Sequence, residues 1–211
     1  IVTGSSVAMI CGLPLGRVVG LALGWRMTFF CIAAVSFGVL AYLAAVFPKV
    51  PAGERFSARE LPKLLKNPVL MGVYVVTALV ATAYYTGYSY IEPFLQQIGG
   101  FSDGSITAAL SIFGIAGIVG SALFARLYTG RRRRFAFLVL ALFGITASLF
   151  LMLPCTTGFA FVSSMCVLWG ACATAFNVSL QSEILKYAPE GAAAVAMSIF
   201  SGIFNLGIGS G

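Results

Sequence analysis

Stretches of about twenty mostly apolar residues recur seven times, at residues 1–23, 27–47, 69–92, 106–128, 135–153, 159–187 and 192–211. Each is long enough to cross the hydrocarbon core of a bilayer as an α-helix, which satisfies its own backbone hydrogen bonds there. Charged residues make up only 9% of the chain, against about 25% in ordinary soluble domains. A water-exposed globule is excluded, and an all-α integral membrane protein is predicted. The breaks between spans read as turns and loops. Gly24-Trp25-Arg26 is a tight turn, and residues 48–68 hold four prolines and seven charges, which makes them an aqueous loop. Residues 99–104, 131–134, 154–158 and 189–191 mark the other connections. Within the long loop, residues 57–66 carry Leu61, Leu64 and Leu65 on one side of a predicted short amphipathic helix.

The formal charge of +7 acquires meaning from its placement. Alternating connections put Lys49, Arg55, Arg59, Lys63, Lys66, Arg126, Arg131, Arg132, Arg133, Arg134 and Lys186 on one side, and only Arg26 on the other. Eleven against one is a strong positive-inside signal. Loops 48–68, 129–134 and 188–191 are therefore expected in the cytoplasm, with the protein multi-pass in the cytoplasmic (inner) membrane. The arginine run explains itself by topology and contact with anionic membrane lipid, so no nucleic acid partner is expected. The absence of histidine rules out His-based catalysis and His–metal sites, and five isolated cysteines offer neither a disulfide framework nor a zinc site. No enzyme activity, metal or cofactor is expected.

The spans differ in what they show their surroundings. Residues 27–47 and 135–153 are nearly featureless and suit a lipid-facing position. In the third span Tyr74, Thr77, Ala81, Tyr85, Tyr88 and Glu92 repeat at helical spacing, and in the sixth Ser163, Cys166, Gly170, Thr174, Asn177 and Gln181 do the same. Ser198, Ser201 and Asn205 give the last span a shorter version. A single Ser or Thr in such a stripe is ordinary interhelical glue, worth about 0.6–2 kcal/mol. Three helices bearing Tyr, Asn, Gln and Glu point instead to a polar central cavity. Small residues make a second pattern. Gly12, Gly16 and Gly20 form a GxxxGxxxG packing face beside Pro14, and Gly114, Gly117 and Ser121 give the fourth span a bare side. Ile1-Val2-Thr3-Gly4 also resembles Ile199-Phe200-Ser201-Gly202, as expected of two like halves in a longer parent.

Four blocks carry a family resemblance. They are Gly12-Leu13-Pro14-Leu15-Gly16-Arg17-Val18-Val19-Gly20, Gly24-Trp25-Arg26-Met27-Thr28-Phe29-Phe30, Tyr85-Thr86-Gly87-Tyr88-Ser89-Tyr90-Ile91-Glu92-Pro93-Phe94 and residues 200–209. Together they resemble the major facilitator superfamily, in particular sugar efflux transporters of the SotB type among its drug:proton antiporter-like members. The resemblance implies a twelve-helix fold of which this chain holds about seven, helices 5 to 11. Residues 1–47 then end the N-terminal six-helix half, 48–68 form the cytoplasmic inter-half loop, and 69–211 begin the C-terminal half, with helix 12 missing. Such a portion is not expected to transport alone, and the full-length form is expected to be a monomer. The helix 5 block departs from the family's antiporter motif, since Leu13 separates Gly12 from Pro14 and Gly20 stands alone. The usual Gly–Asp–Arg–Gly–Arg signature between helices 8 and 9 survives only as Gly120, Arg126, Gly130 and Arg131–Arg134, without the Asp.

The expected function is export of sugars or sugar-like molecules by alternating access, with protons as the counter-ion. Tyr85, Tyr88, Asn177, Gln181 and Asn205 are the candidate substrate contacts, because amides donate and accept while tyrosines offer a flat apolar face with a polar tip. Arg17 lies about 9 Å inside the Leu23 end of its span. It either snorkels to the interface or serves as a cavity charge paired with a carboxylate of a helix outside the chain. Glu92 is the only acid near a cavity stripe; it reads first as an exposed helix-end charge and otherwise as the candidate coupling residue, a role that an acid on helices 1–4 can also fill. Multidrug or nucleoside efflux by the same fold, and a non-transporting receptor, are the alternative functions.

Overall fold

In a computed structural model, the described residues are 12, 15–46, 61–154, 158–189 and 191–211, without the side chains of 61, 63 and 131. Helix α1 covers residues 15–23, followed by α2 (Trp25–Val46), α3 (Leu61–Leu65), α4 (Pro68–Gln97), α5 (Asp103–Leu127), α6 (Arg131–Met152), α7 (Phe159–Tyr187) and α8 (Ala193–Ser210). Six of these, α2 and α4 to α8, are long and apolar enough to cross a membrane. They match six of the seven expected spans. Most of the first expected span, including Pro14, lies outside the described residues, as do residues 47–60 of the long loop. Of the amphipathic helix expected at 57–66, α3 shows five residues, with Leu64 buried and Leu65 exposed.

Local chemistry sets the boundaries. Asn67 caps α4, its side-chain oxygen accepting from the Val69 and Leu70 amides, with Pro68 at the first helical position where no amide partner is needed. Ser102 caps α5 in the same way through the Ser105 amide. Gly24 and Gly130 take the positive φ values, 87° and 71°, that let α1 turn into α2 across one residue and α5 into α6 across three. α4 does not stop at Glu92. It runs through Pro93 to Gln97, so Glu92 sits inside the helix rather than at its end.

α4 to α8 form one bundle around a shared core. α5 packs most extensively on α7, α6 also packs on α7, and α4 packs on α8. The α5–α7 contact is a backbone contact: a Cβ on Gly120 would collide with the Ala171 carbonyl, and one on Gly170 with that of Phe113. Such close approach between small residues is the usual way to gain dispersion energy where lipid supplies no hydrophobic drive. Among its described residues α6 buries only the stripe Ala141, Gly144, Ile145, Ser148 and Met152, in line with its expected lipid-facing character. α2 buries no residue at all. Two polar ties close the end of the bundle that carries the arginine run. Glu183 accepts from both Tyr128 and Arg134, at 2.8 and 2.9 Å, and the Asn67 amide donates to the Tyr187 carbonyl at 3.3 Å. Glu183 therefore pairs across helices, with Tyr128 at the end of α5 and Arg134 of α6.

Candidate functional site

α4, α7 and α8 each turn a polar stripe toward the same space. Tyr74 and Thr77 begin the α4 stripe and are spent on structure: the Tyr74 hydroxyl donates to the Ala196 carbonyl of α8 at 3.0 Å, and Thr77 donates to the Val73 carbonyl at 2.7 Å. From Thr77 onward the helices separate into a cavity of about 330 Å³ midway along the bundle. Thr77, Tyr84 and Tyr85 line it from α4, Phe113 and Gly117 from α5, Thr174, Asn177 and Gln181 from α7, and Ser201, Phe204 and Asn205 from α8. Four of the five expected substrate contacts, Tyr85, Asn177, Gln181 and Asn205, thus share one cavity.

Tyr88 does not line that space. It lies one turn nearer the Gln97 end, in an aromatic layer with Tyr84, Phe113 and Trp169, and these rings approach one another at centroid distances of 5.2–6.2 Å. Tyr85 bridges the layer and the cavity, edge-on to Tyr84 at 5.1 Å and to Phe204 at 5.9 Å. Trp169 is fully buried, with its indole N–H unpartnered. Tyr84 and Phe204 were not among the expected contacts. The signal for Tyr84 was present, since Thr77, Ala81, Tyr84 and Tyr88 also repeat at helical spacing beside the stripe that runs through Tyr85.

The polar groups of the cavity are neutral and partly engaged. Gln181 Nε2 donates to Asn177 Oδ1 at 2.7 Å, joining two amides one turn apart on α7. Whichever way the two amides are flipped, the pair keeps one spare N–H end and one spare carbonyl. Asn205 gives one N–H to the Ser201 carbonyl at 2.8 Å and retains its other N–H and its oxygen. Among the described residues no charged side chain lines the cavity.

The charges lie above it instead. Arg17 reaches from α1 to Asp103 Oδ1 at 2.7 Å and pairs with Glu92, so it bridges α1 to α4 and to the first turn of α5. Its side chain is only 8% exposed, whereas those of Glu92 and Asp103 are 49% and 53% exposed. Arg17 therefore does not snorkel to water, and its carboxylate partners lie within this chain rather than on a helix outside it. Asp103 was missed because its neighbours, Gly99 to Gly104, read only as a turn. Of the helix 5 packing face, Gly16 and Gly20 lie against Thr28 of α2, where a Cβ would sit 3.8 and 3.5 Å away, and Gly12 meets nothing within 4 Å. Pro14 is outside the described residues.

The described residues form a helical bundle of membrane-spanning length with a neutral, amide-bearing cavity midway along it, an arrangement that fits a secondary transporter. The sequence matches the family model described as Major Facilitator Superfamily over residues 1–211, and the chain belongs to that superfamily.

Proposed function

We propose that this transporter exports sugars or sugar-like neutral molecules across the cytoplasmic membrane by alternating access, driven by proton antiport. The observation that carries the reading is the make-up of the cavity: amide and hydroxyl groups of α7 and α8 face tyrosine and phenylalanine rings of α4 and α8, without a charged lining residue among those described. A sugar hydroxyl both donates and accepts, and the joined Asn177–Gln181 amides leave one group of each kind free. Aromatic faces suit the apolar side of a pyranose ring. Tyr85, Asn177, Gln181 and Asn205 act as direct contacts in this reading, and Tyr88 supports them from the aromatic layer. An organic cation buried at this depth would need a carboxylate partner, which makes multidrug efflux the weaker alternative. Nucleosides share the hydroxyl and aromatic chemistry and remain a second cargo class to be tested.

The arginine-run end faces the cytoplasm in this scheme. Residues 1–47 and 69–211 belong to the two rocking halves, joined by the loop at 48–68. Antiport requires a carboxylate that gains and loses a proton, and Glu92, half-exposed on α4, is our candidate. Counterflow of a labelled monosaccharide in proteoliposomes tests the site. Asn177→Ala and Asn205→Ala are each expected to reduce the rate roughly tenfold, as loss of about 1.4 kcal/mol of hydrogen bonding to the cargo does. Wild-type rates in both variants would remove the site assignment.

A further inference from the structure

We propose that the α5–α6 corner binds one anionic phospholipid from the leaflet at that end of the bundle, with Arg126, Arg132 and Arg133 holding the headgroup phosphate. The three side chains are exposed and come from two helices, Arg126 from the last turn of α5 and the others from the first turn of α6. α6 starts there with no acid in its first turn and no side-chain cap, although the peptide dipole disfavours cations at a helix start. Of the acids among the described residues, Glu92 and Asp103 lie at the opposite end, and Glu183 is already taken by Arg134 and Tyr128. The described chain thus leaves three cations at this corner without a counter-charge.

What lies beside the arginines selects the anion. On α6, Arg132, Phe135 and Val139 follow one another at helical spacing and are all exposed, and on α5 Leu123 is exposed one turn before Arg126. Charges on both helices therefore crown exposed apolar surface on segments of membrane-spanning length. A free phosphate or a nucleic acid would use the charges alone. A phospholipid uses both, since its phosphate accepts from the guanidinium groups while its acyl chains lie along the apolar side chains. Arginine suits this role because its planar fork meets phosphate oxygens two at a time. The positive-inside bias requires only that cations lie on this side of the membrane. Their gathering at one corner, beside exposed apolar stripes, is the further feature that makes a site.

The site is independent of the cargo, so its test stands apart from transport. The transporter in detergent is titrated with phosphatidylglycerol or phosphatidylcholine, and bound lipid is counted by native mass spectrometry. One phosphatidylglycerol is expected to be retained under conditions that strip phosphatidylcholine. Arg126→Gln, Arg132→Gln and Arg133→Gln should each weaken retention roughly fivefold, the scale of one basic residue at a membrane surface. All three positions are exposed, so the variants should keep the wild-type thermal midpoint. Arg26→Gln, at the opposite end, should leave retention unchanged, which separates a site from a response to net charge. Equal retention of the two lipids would overturn the site, as would undiminished phosphatidylglycerol binding in the three folded variants or an equal loss in Arg26→Gln. Displacement of the lipid by millimolar inorganic phosphate would also overturn it, because the arginines would then bind a bare anion.

Discussion

The glycines of α1 recur every fourth residue and those of α5 every third, each set on one face of its helix, and the two sets meet very different neighbours. On α1, Gly16 and Gly20 face Thr28 with ordinary van der Waals room for a methyl group, and the Thr28 hydroxyl reaches the Gly16 carbonyl at a long 3.4 Å. On α5, Gly120 meets the Ala171 backbone, while a Cβ on Gly117 would sit 2.7 Å from Thr174 Oγ1, and Gly170 of α7 meets Phe113 in return. The spacing alone therefore does not create a tight interface. A tight interface needs a facing backbone at the same height, and α7 supplies one while α2 does not. The α5–α7 pair can behave as a rigid spine of the bundle. Among the described residues, the polar bonds from the α1–α2 pair to that bundle leave from Arg17.

The largest effect that follows is at the spine. Gly120→Ala is expected to cost about 1–3 kcal/mol through overpacking against backbone that cannot yield, and Gly170→Ala a similar amount. A lowered midpoint in thermal unfolding of the detergent-solubilised protein checks this, and an unchanged midpoint would mean that α5 and α7 do not meet as described. At the other extreme, Gly16→Ala and Gly20→Ala should change stability by less than about 1 kcal/mol in either direction, because a helix gains from losing glycine and the space is free. Marked destabilisation by either would make the two glycine faces alike and erase the contrast.

Much of this organisation was legible in the sequence, and the reasons differ by element. The spans α2 and α4 to α8 follow from apolar length and turn residues, which the bilayer enforces with little regard to neighbours. The convergence of Tyr85, Asn177, Gln181 and Asn205 was legible because a polar stripe in hydrocarbon must turn inward. What periodicity could not show is how far along its helix each stripe opens into space. Tyr74 and Thr77 share the stripe with Tyr85 yet are consumed by backbone carbonyls, and Tyr88 is drawn into a ring cluster with Trp169 of another helix. Partner identity across long separations was equally hidden. Arg17 and Asp103 lie 86 residues apart, and Arg134 finds Glu183 across 49. Spacing within one helix carries no trace of such meetings.

The central claim, that the cavity between α4, α7 and α8 selects a neutral hydroxylated cargo, is most directly tested by competition. Counterflow of a labelled monosaccharide into proteoliposomes is measured against excess unlabelled sugars, nucleosides and hydrophobic cations. A cavity lined by amides and aromatic rings predicts inhibition by sugars and indifference to the cations. Inhibition by the cations with no effect of sugars would contradict it.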